Sequence, residues 1–256
     1  MKTCADSWSP MNSRSRRSSQ LGEHWRDISE QVAYYAERAP ATMRAVDTPY
    51  IERHLSEVLR AAALPSGAQV CEWGAGMGRF SRRLTDEGFE VTAIELSPVL
   101  AADCREVLAG SSARVEVGDI VECLQSSDST YDGIVGFFVL HHLPALSTYF
   151  SAARSALNSG GRMVFVEPNP FNPLYPVQIA ITPGMTWRAE RGIYRLWPRS
   201  VKQAALGAGF SRVTVSRYGL LPRALYNRAV SIRSERWPER LVPPPARAFQ
   251  VIVADV

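Results

Sequence analysis

Three glycines in five residues, Gly74, Gly76 and Gly78 of "VCEWGAGMGRF", follow directly on a short apolar run. Such a loop lets a ligand approach the backbone closely and opens a helix whose first amides face it. Two chemistries compete for it. The pyrophosphate of a dinucleotide wants G-x-G-x-x-G, the third glycine allowing the helix to pack tightly on the strand. Here the spacing is G-x-G-x-G, and bulky Arg79 holds the sixth position. Charge points the same way. A carboxylate at Glu72, just before the first glycine, would repel a pyrophosphate by about 1 kcal/mol if solvated and by several if not. It suits a ligand with an ammonium group or another fixed positive charge.

Two further carboxylates fall at strand ends. Glu95 closes "VTAIEL" about 20 residues after the loop, where an acid accepts both hydroxyls of a ribose. Asp119 closes "VEVGDI", where it can accept from the amino group of an adenine flanked by Ile120. Singly, each is more often a solvated loop carboxylate. Together, Glu72, Glu95 and Asp119 describe an adenosyl ligand with a cationic tail and no phosphate. S-adenosyl-L-methionine is such a molecule, and NAD is not.

These acids converge only if the strands carrying them run parallel. The chain supports that from residue 68 onward. "AQVCEW", "EVTAIEL", "ARVEVGDI", "YDGIVGFFVL" and "RMVFVEP" read as five strands, and "RVTVSRYG" and "FQVIVADV" as two more. Helical segments alternate with them: "GRFSRRLTDEG", "SPVLAADCREVLAG" with Ser97 as cap, "PALSTYFSAARSALNSGG" and "RSVKQAALGAGF". Alternating apolar strands and helices imply a mostly parallel sheet covered on both faces, an α/β fold. Two helices precede it. "HWRDISEQVAYYAERA" is one; "DTPYIERHLSEVLRAAAL" is the other, with Ile51, Leu55, Val58, Leu59 and Ala62 on one face and Asp47 as its expected cap.

Bulk properties exclude little. The net charge of +4 permits an acidic partner without demanding one, and no apolar run approaches the roughly 20 residues that span a bilayer. Cys4, Cys71, Cys104 and Cys123 show no metal-ligand spacing and read as reduced thiols of a cytoplasmic protein. Residues 1–22 read as a disordered basic tail, residues 23–66 as helices covering the ligand site, and 67–256 as the main domain.

With these residues in hand, the sequence resembles the class I S-adenosylmethionine-dependent methyltransferases. The segments that carry the likeness are "VCEWGAGMGRF", "VTAIELSP", "VEVGDI", "YDGIVGFFVLHHLP" and "GGRMVFVEP", in that order. The resemblance implies a Rossmann-like seven-stranded sheet, mostly parallel, with its last strand reversed. It implies cofactor contacts from Glu72, Gly74, Ala75, Gly76, Glu95, Leu96, Asp119 and Ile120, and from the backbone near Gly136 and Phe137. Tyr34 and Tyr35 match an aromatic position that closes over the methionine end in many relatives, or they pack in a core.

The acceptor is less defined. Relatives that methylate exocyclic amines of bases often carry an (Asp/Asn)-Pro-Pro-(Tyr/Phe) turn after strand four; this chain has Gly136-Phe137-Phe138-Val139. No specific nucleic-acid partner is therefore expected. His141 sits where several small-molecule O-methyltransferases place a general base, and a histidine can take a hydroxyl proton at neutral pH. The same His141-His142 pair also occurs as a structural feature at the start of a helix in this fold. Glu167, ending strand five, either orients that histidine or faces solvent.

Insertions at 169–198 and 221–247 read as caps. The first mixes Phe171, Tyr175, Trp187, Tyr194 and Trp197 with Arg188, Arg191 and Arg195, which suits a bulky small molecule. The second places Leu225, Ala229 and Ile232 on one face of a basic stretch; a cap or a homodimer contact is favoured over a membrane surface. The leading expectation is a small-molecule methyltransferase with a slight preference for a hydroxyl acceptor. A lipid-linked acceptor, or a non-catalytic protein that binds an adenosyl ligand, is the alternative.

Overall fold

The computed structural model describes residues 43–181, 185–220, 226–227 and 238–256. The basic tail, the helix expected around Tyr34 and Tyr35, and most of the second insertion, including Leu225, Ala229 and Ile232, lie outside the described residues.

The first helix, α1 (Pro49–Ala62), starts because the Thr48 hydroxyl accepts the Ile51 amide and Pro49 presets the first turn. Asp47, expected as the cap, instead pairs with Arg82 at 2.7 Å. The helix buries Ile51, Leu55, Val58 and Ala62 as its spacing predicts, while Leu59 is only partly covered.

From there strands and helices alternate: β1 (Gln69–Trp73), α2 (Arg79–Asp86), β2 (Glu90–Glu95), α3 (Pro98–Val107), β3 (Arg114–Val117), α4 (Ile120–Ser126), β4 (Tyr131–Phe137), α5 (Leu146–Ala156) and β5 (Leu157–Pro168). The first insertion forms α6 (Tyr175–Ile181) and α7 (Trp187–Glu190), and α8 (Pro198–Gly207), β6 (Arg212–Tyr218) and β7 (Phe249–Asp255) complete the chain. Two boundaries differ from expectation. Asp119 does not end β3; its carboxylate accepts the Val121 amide and starts α4. The turn residues Asn158, Ser159, Gly160 and Gly161 do not separate α5 from β5. They form its early part, with a register shift against β4 between Tyr131 and Gly133.

The seven strands run in the order β3-β2-β1-β4-β5-β7-β6, all parallel except β7, which is antiparallel to both neighbours. The order reverses between β1 and β4, where the loops after the two strands diverge and leave a crevice. Side chains alternate across the sheet. Val70 of β1 packs with Leu55, Phe80 and Leu84 on one face; Cys71 and Trp73 pack with Tyr149 and Phe150 on the other. Each face is thus covered by helices.

One buried ion network ties the N-terminal helix to the far end of the chain. Arg53 pairs with Glu57 at 2.6 Å and with Glu239 at 2.7 Å. Nearby, the Tyr50 amide donates to Asn227 Oδ1 at 3.2 Å. Arg247, beyond Glu239, donates to the Arg217 carbonyl of β6.

Candidate active site

The glycine loop is held by the ends of β1 and β2. The amides of Gly74 and Ala75 both donate to the Ile94 carbonyl, at 2.9 and 3.1 Å. Gly76 donates to one oxygen of Glu95 at 2.7 Å, and the other oxygen accepts the Ser97 amide at 2.8 Å. Ser97 also caps α3, as its position predicts. Leu96 lies between these anchors, half-buried. Gly74 has φ +66°, and a Cβ there would lie 2.7 Å from Val139 Cγ2. Gly74→Ala should therefore cost about 2 kcal/mol of stability, from left-handed strain plus overlap, measured by denaturant unfolding. A wild-type midpoint would show that Val139 gives way freely.

Glu72, in β1 just before the loop, is fully buried and accepts the Ser81 hydroxyl of α2 at 2.5 Å. Burial pushes its pKa up to about 8, against the weaker opposing pull of Ser81 and Arg79. At neutral pH the carboxyl therefore keeps its proton unless a cation arrives, so its charge is conditional on the ligand. The consequence for stability has a definite sign. Glu72 holds its proton more tightly folded than unfolded, so its contribution is complete below 4.5 and is lost as pH rises toward 8. His142 opposes this at lower pH. Burial pushes it down to about 3, so its contribution grows until pH passes its ordinary 6.5. Between about pH 6.5 and 8 Glu72 and Glu167, each raised to about 8, act in the same direction, so the melting temperature should fall there. Glu72→Gln should remove about half of that fall; an unchanged slope would rule Glu72 out as a source.

The other expected contacts gather around the same crevice. The Gly118 amide donates to the Glu95 carbonyl at 3.1 Å, which brings Asp119 and Ile120 beside the end of β2. Asp119 is buried, and its second oxygen accepts the Tyr149 hydroxyl at 2.7 Å. Phe137, ending β4, stacks on Phe80 with ring centroids 3.7 Å apart. Gly136, one residue earlier, lies against the Phe165 ring with no room for a side chain. Tyr35 lies outside the described residues. Met43, at the start of those residues, places its terminal methyl 3.3 Å from where a Gly76 Cβ would be.

His141 and Glu167 meet. The chain turns after β4 into a short helical turn, Leu140–His142, and Glu167 of β5 reaches under it. One Glu167 oxygen accepts the amides of Val139 (2.8 Å) and Leu140 (2.6 Å); the other lies 2.6 Å from His141 Nδ1. Glu167 is wholly buried, so it orients the histidine and does not face solvent. Burial raises Glu167 to about 8 and holds His141 below its ordinary value. On its other side, His141 Nε2 lies 3.5 Å from Glu190 Oε2, longer than a hydrogen bond.

Sequence reasoning missed an aromatic cluster at the same edge of the sheet. Tyr50 and His54 of α1 pack on Phe138, Tyr218 and Phe249, which follow β4, end β6 and begin β7. His54 Nδ1 lies 2.5 Å from the Tyr218 hydroxyl. Phe138 has φ +60°, a backbone state that a bulky residue adopts only when its surroundings enforce it. The spacing of Tyr50 and His54 on a helix was the available signal, and it reads equally as core.

Seven strands in this order, with a ligand crevice at the β1–β4 reversal, define the Rossmann-like methyltransferase fold. A methyltransferase from Archaeoglobus fulgidus, described as dependent on S-adenosylmethionine, matches with TM-score 0.60 at 19% identity, over 80% of this chain and 94% of that one. A Thermotoga maritima methyltransferase, described as a possible histamine N-methyltransferase, matches with TM-score 0.60 at 15% identity, over 89% and 97%. Residues 35–215 match a family described as a methyltransferase domain, and the chain belongs to that family. Among curated relatives, a ubiquinone biosynthesis O-methyltransferase of Xanthomonas axonopodis is 28% identical over 42% of this chain and 46% of its own length. The chain thus spans about half of that relative. An uncharacterized methyltransferase of Geobacillus kaustophilus is 25% identical over 57% of this chain and 68% of its own.

Proposed function

We propose that this chain transfers the methyl group of S-adenosyl-L-methionine to a hydroxyl oxygen of a small-molecule acceptor. The donor set fits such a cofactor. Each Glu95 oxygen accepts one amide and keeps a second lone pair for a ribose hydroxyl. Asp119 keeps acceptor capacity in the same way for an adenine amino group, with Ile120 beside it. The methionine end, with its ammonium, belongs toward the loop above Glu72. When bound, the cofactor supplies a methyl carbon made electrophilic by a sulfonium.

The observation that carries the oxygen preference is the His141–Glu167 pair. Once ionised, Glu167, which burial raises to about 8, accepts the Nδ1 proton and fixes the tautomer, leaving the Nε2 lone pair to take a hydroxyl proton. The O-methyltransferase relatives are consistent with this choice. Calorimetry should show binding of S-adenosylhomocysteine and none of NAD; the reverse would overturn the reading.

A second reading, a lipid-linked acceptor met at a membrane surface, draws on the first insertion. Leu174, Val177, Trp187, Tyr194 and Trp197 are all exposed there. Among the described residues no helix is long and apolar enough to cross a membrane. Flotation with anionic vesicles, lost when Leu174 and Trp187 become serine, would favour it over a free acceptor.

A further inference from the structure

His141 faces a carboxylate on both sides, and the second comes from the insertion. Glu190 ends α7 and places Oε2 3.5 Å from His141 Nε2. The Tyr175 hydroxyl of α6 donates to that same oxygen at 2.5 Å and so fixes its direction. The segment carrying Glu190 is seated on the histidine's own backbone. A Cβ at Gly192 would lie 1.7 Å from the His141 carbonyl oxygen, so only glycine lets the two chains come this close. Arg195 adds a bond to the Pro144 carbonyl at 2.8 Å.

We infer that Glu190 is a positioning residue for His141: seated by Gly192 and held by Tyr175, it completes a carboxylate–imidazole–carboxylate arrangement that stabilises the imidazolium formed when the acceptor gives up its proton. This rests on the reading of His141 as the base. The chemistry balances. A hydroxyl proton arriving at Nε2, with Nδ1–H already on ionised Glu167, makes an imidazolium with a carboxylate facing each ring nitrogen, and the second carboxylate offsets the positive charge of nearby Arg195. The groups facing His141 are Glu167 from β5, Glu190 from α7, Arg195 from the turn after α7, and His142 beside it with ring centroids 3.9 Å apart. Arg195 and a protonated His142 disfavour the charged ring; the two carboxylates favour it. Glu190 is the one acid of the set that the insertion brings.

The test reads His141 directly in the full-length chain, by nitrogen-15 NMR of labelled histidines, with His141→Ala used for assignment. Glu190→Gln should lower the His141 titration midpoint by about one pH unit, a tenfold loss of proton affinity. Gly192→Ala should lower it as well, although the charge of Glu190 is retained, because its Cβ unseats the segment. A folded Glu190→Gln or Gly192→Ala protein with the wild-type midpoint would overturn the inference. If Gly192→Ala does not fold, Glu190→Asp replaces it: a midpoint between wild type and Glu190→Gln supports the contact, and a wild-type midpoint refutes it. A His141→Ala chain that turns over at the wild-type rate would remove the base reading while leaving the titration result intact.

Discussion

Replacing His141 by alanine is expected to lower methyl transfer to a hydroxyl acceptor by about 100-fold or more, the usual contribution of a positioned general base. Binding of S-adenosylhomocysteine should stay within about 3-fold of wild type, because the His141 ring is engaged with Glu167, Glu190 and His142 and the cofactor contacts are assigned to the loop, Glu95 and Asp119. The physical argument is one of proton inventory. Nδ1 is committed to Glu167 at 2.6 Å, whereas Nε2 faces Glu190 at 3.5 Å, a carboxylate that donates nothing to its lone pair. Burial holds His141 below its ordinary 6.5. Its neutral form therefore persists at lower pH than in a free histidine, and the acid limb of turnover is set by ionisation of Glu167, raised to about 8, so turnover should climb from neutral toward alkaline pH. The apparent value will belong to the His141–Glu167 pair and not to either group alone. Transfer of labelled methyl from S-adenosylmethionine to catechol, followed across pH, measures both effects. Wild-type turnover in His141→Ala would favour an amine or carbon acceptor, whose nucleophile needs no such base.

Glu95→Ala should weaken S-adenosylhomocysteine binding by at least about 100-fold in calorimetry. Two hydrogen bonds from hydroxyls to a carboxylate contribute about 1.5 kcal/mol each at the low end, about 3 kcal/mol together. The loss is compounded because the same carboxylate holds the Gly76 and Ser97 amides. Removing it therefore loosens the loop as well as the ribose contact. Affinity within tenfold of wild type would show that Glu95 serves the loop alone.

Much of this site could be read from local chemistry. The glycine spacing, the acids at successive strand ends and the Ser97 cap are short-range signals, and the structure brings their residues to one crevice. What escaped depends on long-range packing. Asp119 looked like a strand terminus because the helix it starts is only seven residues long. Whether Glu72 is solvated stayed open because nothing near it in sequence announces Ser81 as a partner or the burial that raises its pKa. Turn-forming Asn158, Gly160 and Gly161 concealed the early start of β5, which pairing with β4 imposes. Glu190 and Tyr175 carry no motif. Their relation to His141 exists only because Gly192 lets the insertion settle on the turn after β4.

The ties between α1 and the residues around the second insertion have a consequence for how this protein can diversify. Asn227 and Glu239 are fastened to Tyr50 and Arg53, so the two ends of the stretch between them are fixed by contacts that do not involve its interior. The entropy of closing such a stretch grows only logarithmically, about 0.6 kcal/mol for each doubling of its length. Sequence and length between those two anchors are therefore nearly free variables for the fold: doubling that stretch should cost the protein well under 1 kcal/mol, roughly the closure term alone.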